Sequence, residues 1–327
     1  MPTNKRRRLK VDEYYSGILN ADRAVLGKAI TLIESSLPAD KELAQQVIEK
    51  CLPHSGNSIR VGITGVPGVG KSTFIEAFGI KLVEQGKKLC VLAVDPTSQL
   101  TGGSILGDKT RMQNLSSHPN AFIRPSPSGD SLGGVTRSTR ETVILCEAAG
   151  FDTVLIETVG VGQSETAVHG MVDFFLLLML AGAGDELQGI KRGIVEMCDA
   201  LIITKADGEN KAKAKRAIVE YRNALHLYPA APSGWQPKVG YCSALTGENI
   251  EKVWGIVNEY ITHTKENGYF ENYRTEQEIQ RLHETIEQLL KDRFYQNADI
   301  QQQLKKLEQQ VAQKQLSAYA AAEKLFD

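Results

Sequence analysis

Gly65-Val66-Pro67-Gly68-Val69-Gly70-Lys71-Ser72 is the stretch that decides how this chain is read. Its spacing is G-x-x-x-x-G-K-S, and its surroundings suit that spacing. A short β-rich run, Ile59 to Thr64, precedes it. After it, Thr73 to Gln85 carries Phe74, Ala77, Phe78 and Leu82 at helical spacing. A strand, a Gly-rich loop and a helix in that order turn backbone N–H groups toward the phosphates of a nucleotide. The helix N-terminus adds partial positive charge at the same point. Lys71 is expected at the β- and γ-phosphates and the Ser72 hydroxyl on Mg²⁺. Glycines at 65, 68 and 70 permit backbone angles and close approaches that a Cβ obstructs. The expected phosphate-binding residues are therefore Gly65, Val66, Pro67, Gly68, Val69, Gly70, Lys71, Ser72 and Thr73.

Composition narrows the setting. A chain of 327 residues with 42% hydrophobic residues has room for one large domain with appendages, or for two. Its net charge of −1 offers no global attraction for nucleic acid. The cluster Lys5-Arg6-Arg7-Arg8 reads as a solvated tail, with a nucleic-acid or membrane-surface contact as the alternative. The most apolar run, Phe174 to Ala181, is too short to span a bilayer and suits a buried parallel strand. Five scattered cysteines (Cys51, Cys90, Cys146, Cys198 and Cys242) lack metal-ligand spacing and read as reduced core residues of a cytoplasmic protein. Neither nucleic acid nor a membrane is expected as a partner.

Three regions follow from the pattern. Residues 1–56 form a helical N-terminal extension, with Ile18, Leu19, Val25, Leu26, Ala29, Ile30 and Ile33 at helix spacing and a break at Leu37-Pro38. Residues 57–262 alternate apolar runs with helical segments. This is the signature of an α/β P-loop NTPase with a mostly parallel central sheet flanked by helices. Its expected strands are 60–64, 89–94, 121–124, 153–157, 174–180, 200–204 and 238–242. Residues 263–327 form a polar, helical C-terminal arm, with helices expected over 271–291 and 298–327. Leu282, Ile286, Leu289 and Leu290 stripe the first; Leu304, Leu307, Val311 and Leu316 stripe the second. Such stripes require a partner surface, in the same domain or another subunit.

Four further segments fit GTP better than ATP. The run Thr153 to Gly160 is an apolar strand ending in Glu157, with glycine three residues on. Glu157 is placed to hold the Mg²⁺ shell and the Gly160 N–H to sense a γ-phosphate. Thr204-Lys205-Ala206-Asp207 ends another strand as T-K-x-D. There an Asp207 carboxylate accepts both guanine N1–H and the 2-amino group, a donor pair adenine lacks. The first position is more commonly Asn, and a strand followed by a charged turn is the alternative reading. Ser243-Ala244-Leu245 supplies a backbone N–H for the guanine O6. Asp95 ends the second strand before Pro96, which keeps it out of helical geometry. The Gly-rich loop Thr101 to Arg111 is then either a rearranging switch or a structural omega loop.

With these residues in view the chain resembles the methylmalonyl-CoA mutase-associated GTPases of the MeaB/ArgK type, metallochaperone-like G proteins of the SIMIBI class. The resemblance rests on G-V-P-G-V-G-K-S-T at 65–73, D-P-T-S at 95–98 and T-G-G-S-I-L-G-D-K-T-R-M at 101–112. It is strengthened by E-T-V-G-V-G-Q-S-E at 157–165 and G-A-G-D-E-L-Q-G-I-K-R-G at 182–193, and it covers almost the whole chain. It implies that 101–112 is switch I, that the stretch after Glu157 is switch II, and that 182–193 is a further switch. The implied metal-handling set is Ser72, Asp95, Asp108 and Glu157. The implied catalytic set is Lys71, Asp95, Asp108, Glu157 and Lys191, and the implied switch residues are Asp108, Gly160, Gln163, Asp185, Gln188 and Lys191. GTP or GDP with Mg²⁺ is the implied ligand, and cobalamin is not expected on this chain itself. The implied partner is a cobalamin-dependent acyl-CoA mutase, methylmalonyl-CoA mutase or a relative, whose adenosylcobalamin loading the GTPase gates. A homodimer through the C-terminal helices is implied as well.

Val161 stands where Ras-like proteins place a water-orienting glutamine, so slow intrinsic hydrolysis is expected, faster when a partner orders the switches. The competing functions are an ATP-dependent kinase of the arginine/ornithine transport type, a metal-insertion GTPase, and a regulatory module whose hydrolysis is incidental. Asp207 and Ser243-Ala244 speak against the first. The absence of His-rich tracts and Cys pairs speaks against the second.

Overall fold

Seven strands pair in parallel throughout, in the order β3-β2-β4-β1-β5-β6-β7. They are β1 (Ile59–Gly65), β2 (Leu89–Val94), β3 (Ala121–Arg124), β4 (Thr153–Thr158), β5 (Phe174–Met179), β6 (Ala200–Ile203) and β7 (Lys238–Tyr241). Each expected strand is present, its ends moved by at most a residue. The computed structural model describes residues 8–94, 112–125, 132–158, 164–182 and 192–326. By internal contacts the chain divides into two units, Met1–Phe270 and Glu271–Asp327. The N-terminal helices α1 (Val11–Leu19), α2 (Arg23–Ile33) and α3 (Pro38–Cys51) belong to the first.

Strands buried on both faces explain the near-continuous apolar runs. In β5, Phe174, Leu176 and Leu178 face one core, while Phe175, Leu177 and Met179 face the other. The first of these cores holds Phe74, Phe78 and Leu82 of α4 (Lys71–Glu84) and Val253, Trp254, Val257 and Tyr260 of α10 (Ile250–Glu266). Phe74 stacks on Phe78 at 5.2 Å and Phe78 meets Trp254 edge-on at 6.1 Å, geometries that aromatic quadrupoles favour. The opposite core is roofed by α1 to α3 and by α6 (Leu132–Ala148). Between α4 and α6 the short α5 (Gln113–Ser117) precedes β3. Three more helices, α7 (Ser164–His169), α8 (Arg192–Met197) and α9 (Asn210–Leu225), complete the connections up to α10.

The N-terminal helices are stapled on by polar bonds as well as by packing. Asp22 caps α2 by accepting from Ala24 N at 2.8 Å and Val25 N at 3.1 Å. Arg124, at the end of β3, forms an ion pair with Glu34 beside that helix. The connection from α3 to β1 is fastened by Glu147 of α6. That carboxylate accepts from Gly56 N (2.7 Å), Ser58 Oγ (2.6 Å) and both Nε and Nη2 of Arg60 (2.9 and 3.0 Å). Burial pushes the Glu147 carboxyl up, but the Arg60 guanidinium and the two further donors outweigh it and hold it below its ordinary range.

The second unit, described by itself, holds most of α11 (Tyr269–Gln296), α12 (Ala298–Ala312) and α13 (Ala318–Glu323). One continuous helix over 298–327 is therefore not what forms. Lys314 takes a left-handed conformation (φ 57°), and Gln315 N reaches back to Gln310 O at 2.9 Å, which ends α12 in the manner of a Schellman turn. Ser317 then caps α13 through Ala320 N. Phe294 and Phe326 stack at 4.9 Å.

Candidate nucleotide-binding site

The loop between β1 and α4 lies at the carboxyl end of the central strand, where open parallel sheets place their ligands. Gly65 is obligatory for space: a Cβ there would lie 2.4 Å from the Leu178 carbonyl oxygen of β5. Gly68 (φ 79°) and Gly70 (φ 95°) are obligatory for conformation, and Gly70 is the N-cap of α4. Val69 N donates to Val66 O at 3.2 Å, which closes the turn, and the Val69 side chain is wholly buried beneath it. Pro67, Gly68 and Thr73 stay exposed on the rim.

Lys71, only 9% exposed, donates to the carbonyls of Gly65 (2.7 Å) and Val66 (3.4 Å). Burial pulls its ammonium below the ordinary lysine range, while the negative fields of Glu157 and Glu165 work the other way. Ser72 donates from Oγ to Glu157 Oε1 at 3.1 Å. A serine hydroxyl and a carboxylate oxygen, both in reach of the loop, are the hard oxygen donors that suit Mg²⁺. Just behind them Thr158 Oγ1 donates to Thr64 Oγ1 at 2.8 Å, tying the ends of β4 and β1 together.

The two segments expected from sequence to meet a base, 204–207 and 243–245, follow β6 and β7 at the same carboxyl end of the sheet. Thr204 Oγ1 donates to Val69 O (2.7 Å) and Met179 O (3.2 Å), so this side chain braces the phosphate loop from beneath. Lys205, at φ 52°, donates from Nζ to Gly68 O at 2.7 Å and lies over the loop. Asp207 Oδ2 accepts from Ser243 Oγ at 2.6 Å. Ala206 N donates to Cys242 O at 3.1 Å. Ala244 is half-buried beside them, and Leu245 is 83% exposed. Residues 65–73, Glu157, 204–207 and 243–245 thus gather at the carboxyl end of the sheet. Asp95, Asp108, Gly160, Gln163, Asp185, Gln188 and Lys191 lie outside the described residues.

Three residues at this end escape sequence reasoning. Glu165, 1% exposed, opens α7 within the field of Lys71; its only signal was its place at the end of the motif at 157–165, which gave it no role of its own. Lys211, in the first turn of α9, and Glu248, in the loop after β7, form an ion pair at 2.6 Å, a pairing that no local spacing announces.

A seven-stranded parallel sheet with a Gly-rich loop cradled at the N-terminus of α4 defines a P-loop nucleotide-binding protein. Comparison narrows the class. The family model described as "Methylmalonyl Co-A mutase-associated GTPase MeaB" matches residues 26–299. The Mycobacterium tuberculosis protein named "Probable GTPase Rv1496" is 48% identical over 317 residues, covering 97% of this chain and 94% of that protein. The mouse protein named "Methylmalonic aciduria type A homolog, mitochondrial" is 45% identical over 326 residues, covering 97% of this chain and 79% of its own length. Among solved structures, that of a "LAO/AO transport system kinase" superposes with a TM-score of 0.76 at 36% identity, covering 96% of each chain. The chain belongs to the MeaB family of methylmalonyl-CoA mutase-associated GTPases.

Proposed function

We propose that this protein is a GTP-binding and GTP-hydrolysing chaperone that gates adenosylcobalamin loading of a cobalamin-dependent acyl-CoA mutase and protects that enzyme. What carries the reading is the match to the mutase-associated family over 26–299, together with a phosphate loop built as that activity requires. Lys71 exchanges its loop carbonyls for phosphate oxygens when nucleotide enters. Ser72 and Glu157, joined by Asp95 and Asp108, would hold Mg²⁺, whose charge would offset the negative charge of the phosphates. Asp207 reads guanine with the help of Ser243, Ala244 and Leu245, and Thr204 and Lys205 support the loop and cover it. Gly160, Gln163, Asp185, Gln188 and Lys191 report nucleotide state to the partner, and Lys191 contributes to activation. Hydrolysis by the isolated protein is slow.

The assembly proposed is a cytoplasmic homodimer through the C-terminal helices. Ile279, Leu282, Ile286 and Leu289 of α11 recur at alternating three- and four-residue steps and are 43–57% exposed. Such a seam asks for another helix. No described helix is long and apolar enough to cross a membrane.

The test is a pull-down from the source cell with the protein loaded with a GTP analogue or with GDP. A cobalamin-dependent mutase should be recovered with one form over the other. Recovery of no such enzyme in either state overturns the chaperone role. An ATP-dependent transport kinase is the competing activity, and it requires ADP to bind at least as tightly as GDP.

A further inference from the structure

We propose that Lys211, Glu248 and Tyr241 form a clamp that sets base selectivity by holding the Asp207 turn and the Ser243 loop in register. The inference rests on the reading of Asp207 as the guanine acceptor and extends it to three residues linked to one another behind the Asp207–Ser243 contact. Lys211 lies in the first turn of α9, four residues beyond Asp207; Glu248 closes the loop that begins at Ser243. Lys211 Nζ meets Glu248 Oε1 at 2.6 Å and Oε2 at 2.8 Å. Tyr241 Oη, at the end of β7, donates to the same carboxylate at 3.2 Å.

The backbone explains why this carboxylate matters. Ser243 N donates to Glu248 O at 3.0 Å, so the loop closes on the residue that Lys211 holds. Thr246 N donates to Ser243 Oγ at 3.2 Å, and that hydroxyl in turn donates to Asp207 Oδ2 at 2.6 Å. Asp207 therefore has one carboxylate oxygen committed to the loop, and the direction of the other depends on where the loop sits. Two ties join the base-side segments through side chains: Ser243 to Asp207 at one end, Glu248 to Lys211 at the other. Loss of the second leaves the first as a hinge. The Glu248 carboxyl is held below its ordinary range, chiefly by the hydrogen bond from Lys211, so the pair stays ionised at neutral pH.

The experiment measures binding of GDP, IDP, ADP and inorganic pyrophosphate to the full chain as wild type, Lys211→Met, Lys211→Arg, Glu248→Gln and the double variant Lys211→Met/Glu248→Gln. IDP lacks the 2-amino group that Asp207 is read to bind. Lys211→Met and Glu248→Gln should each weaken GDP by about three- to fivefold, the scale of a partly exposed ion pair. The GDP-over-IDP preference should fall by a similar factor, with pyrophosphate unchanged. The double variant should be no worse than either single one, and Lys211→Arg should retain most of the preference. An unchanged GDP-to-IDP ratio in both single variants overturns the clamp. So does a loss that extends equally to IDP and pyrophosphate, which would mark a general structural role. A wild type that binds ADP as well as GDP overturns the guanine reading itself, and the clamp with it.

Discussion

At the residue scale the phosphate loop separates two uses of glycine. Gly65→Ala places a methyl group 2.4 Å from a main-chain oxygen of β5, which cannot rotate away. Gly68→Ala meets no atom within 4 Å and incurs only the left-handed backbone penalty, about 1 kcal/mol. Thermal denaturation should therefore show Gly65→Ala the more damaging by a clear margin, with GDP binding lost in step. Asp199, at the turn into β6, allows a pH prediction. Burial raises its carboxyl to about 7, against the bonds from Phe175 N and Tyr260 that favour the anion. The native state then holds the proton more tightly than the unfolded chain, whose carboxyl titrates near 3.8. Stability from this residue is full below the lower value and is lost as pH rises through about 7. Urea titrations at pH 5 and pH 8 should show wild type losing stability relative to Asp199→Asn over that interval.

At the element scale the Arg60–Glu147 pair is the test case. The side chains are 13% and 0% exposed, so removing the carboxylate takes this ion pair away from a guanidinium that stays largely buried. Glu147→Ala should cost about 3–5 kcal/mol in urea unfolding. Lys81 and Glu84 on α4, 40% and 55% exposed, provide the control: Glu84→Ala should leave the urea midpoint nearly unchanged. The same contrast explains what a sequence discloses. Phe174 to Met179 announces a two-faced strand because burial is written into consecutive residues, and Gly65 to Ser72 announces a phosphate loop because its chemistry is local. Thr204 illustrates the limit. It occupies the first position of T-K-x-D and so draws attention as a base contact, while its hydroxyl is spent on Val69 O and Met179 O. Bonds that skip whole elements leave no trace in local spacing: Thr204 and Val69 are 135 positions apart, and Lys211 and Glu248, 37 apart, are hidden for the same reason. The break between α12 and α13 went unannounced because Lys314 to Ser317 contains neither glycine nor proline.

At the scale of the whole molecule the two units have separate consequences. The first contains the entire sheet and both of its cores. A chain ending at Phe270 should fold, melt cooperatively and bind GDP with affinity within about threefold of the full chain, since a factor of three is under 1 kcal/mol. The exposed stripe on α11 makes the opposite claim for the second unit. Leu282→Glu combined with Leu289→Glu should shift the full chain from dimer to monomer in analytical ultracentrifugation and leave GDP binding in place. A dimer that survives both changes removes the seam from the account of assembly.

Thr204 and Lys205 have one more implication, which concerns time. They brace Val69 and Gly68 across 135 and 137 positions of sequence. A ribosome therefore completes the phosphate loop long before it makes the residues that support it. Contacts of such long range form late, so the nascent chain carries an unbraced loop until β5 and β6 have emerged and paired. Nucleotide capture should then mark the end of domain folding, and chains stalled before residue 200 should emerge without it.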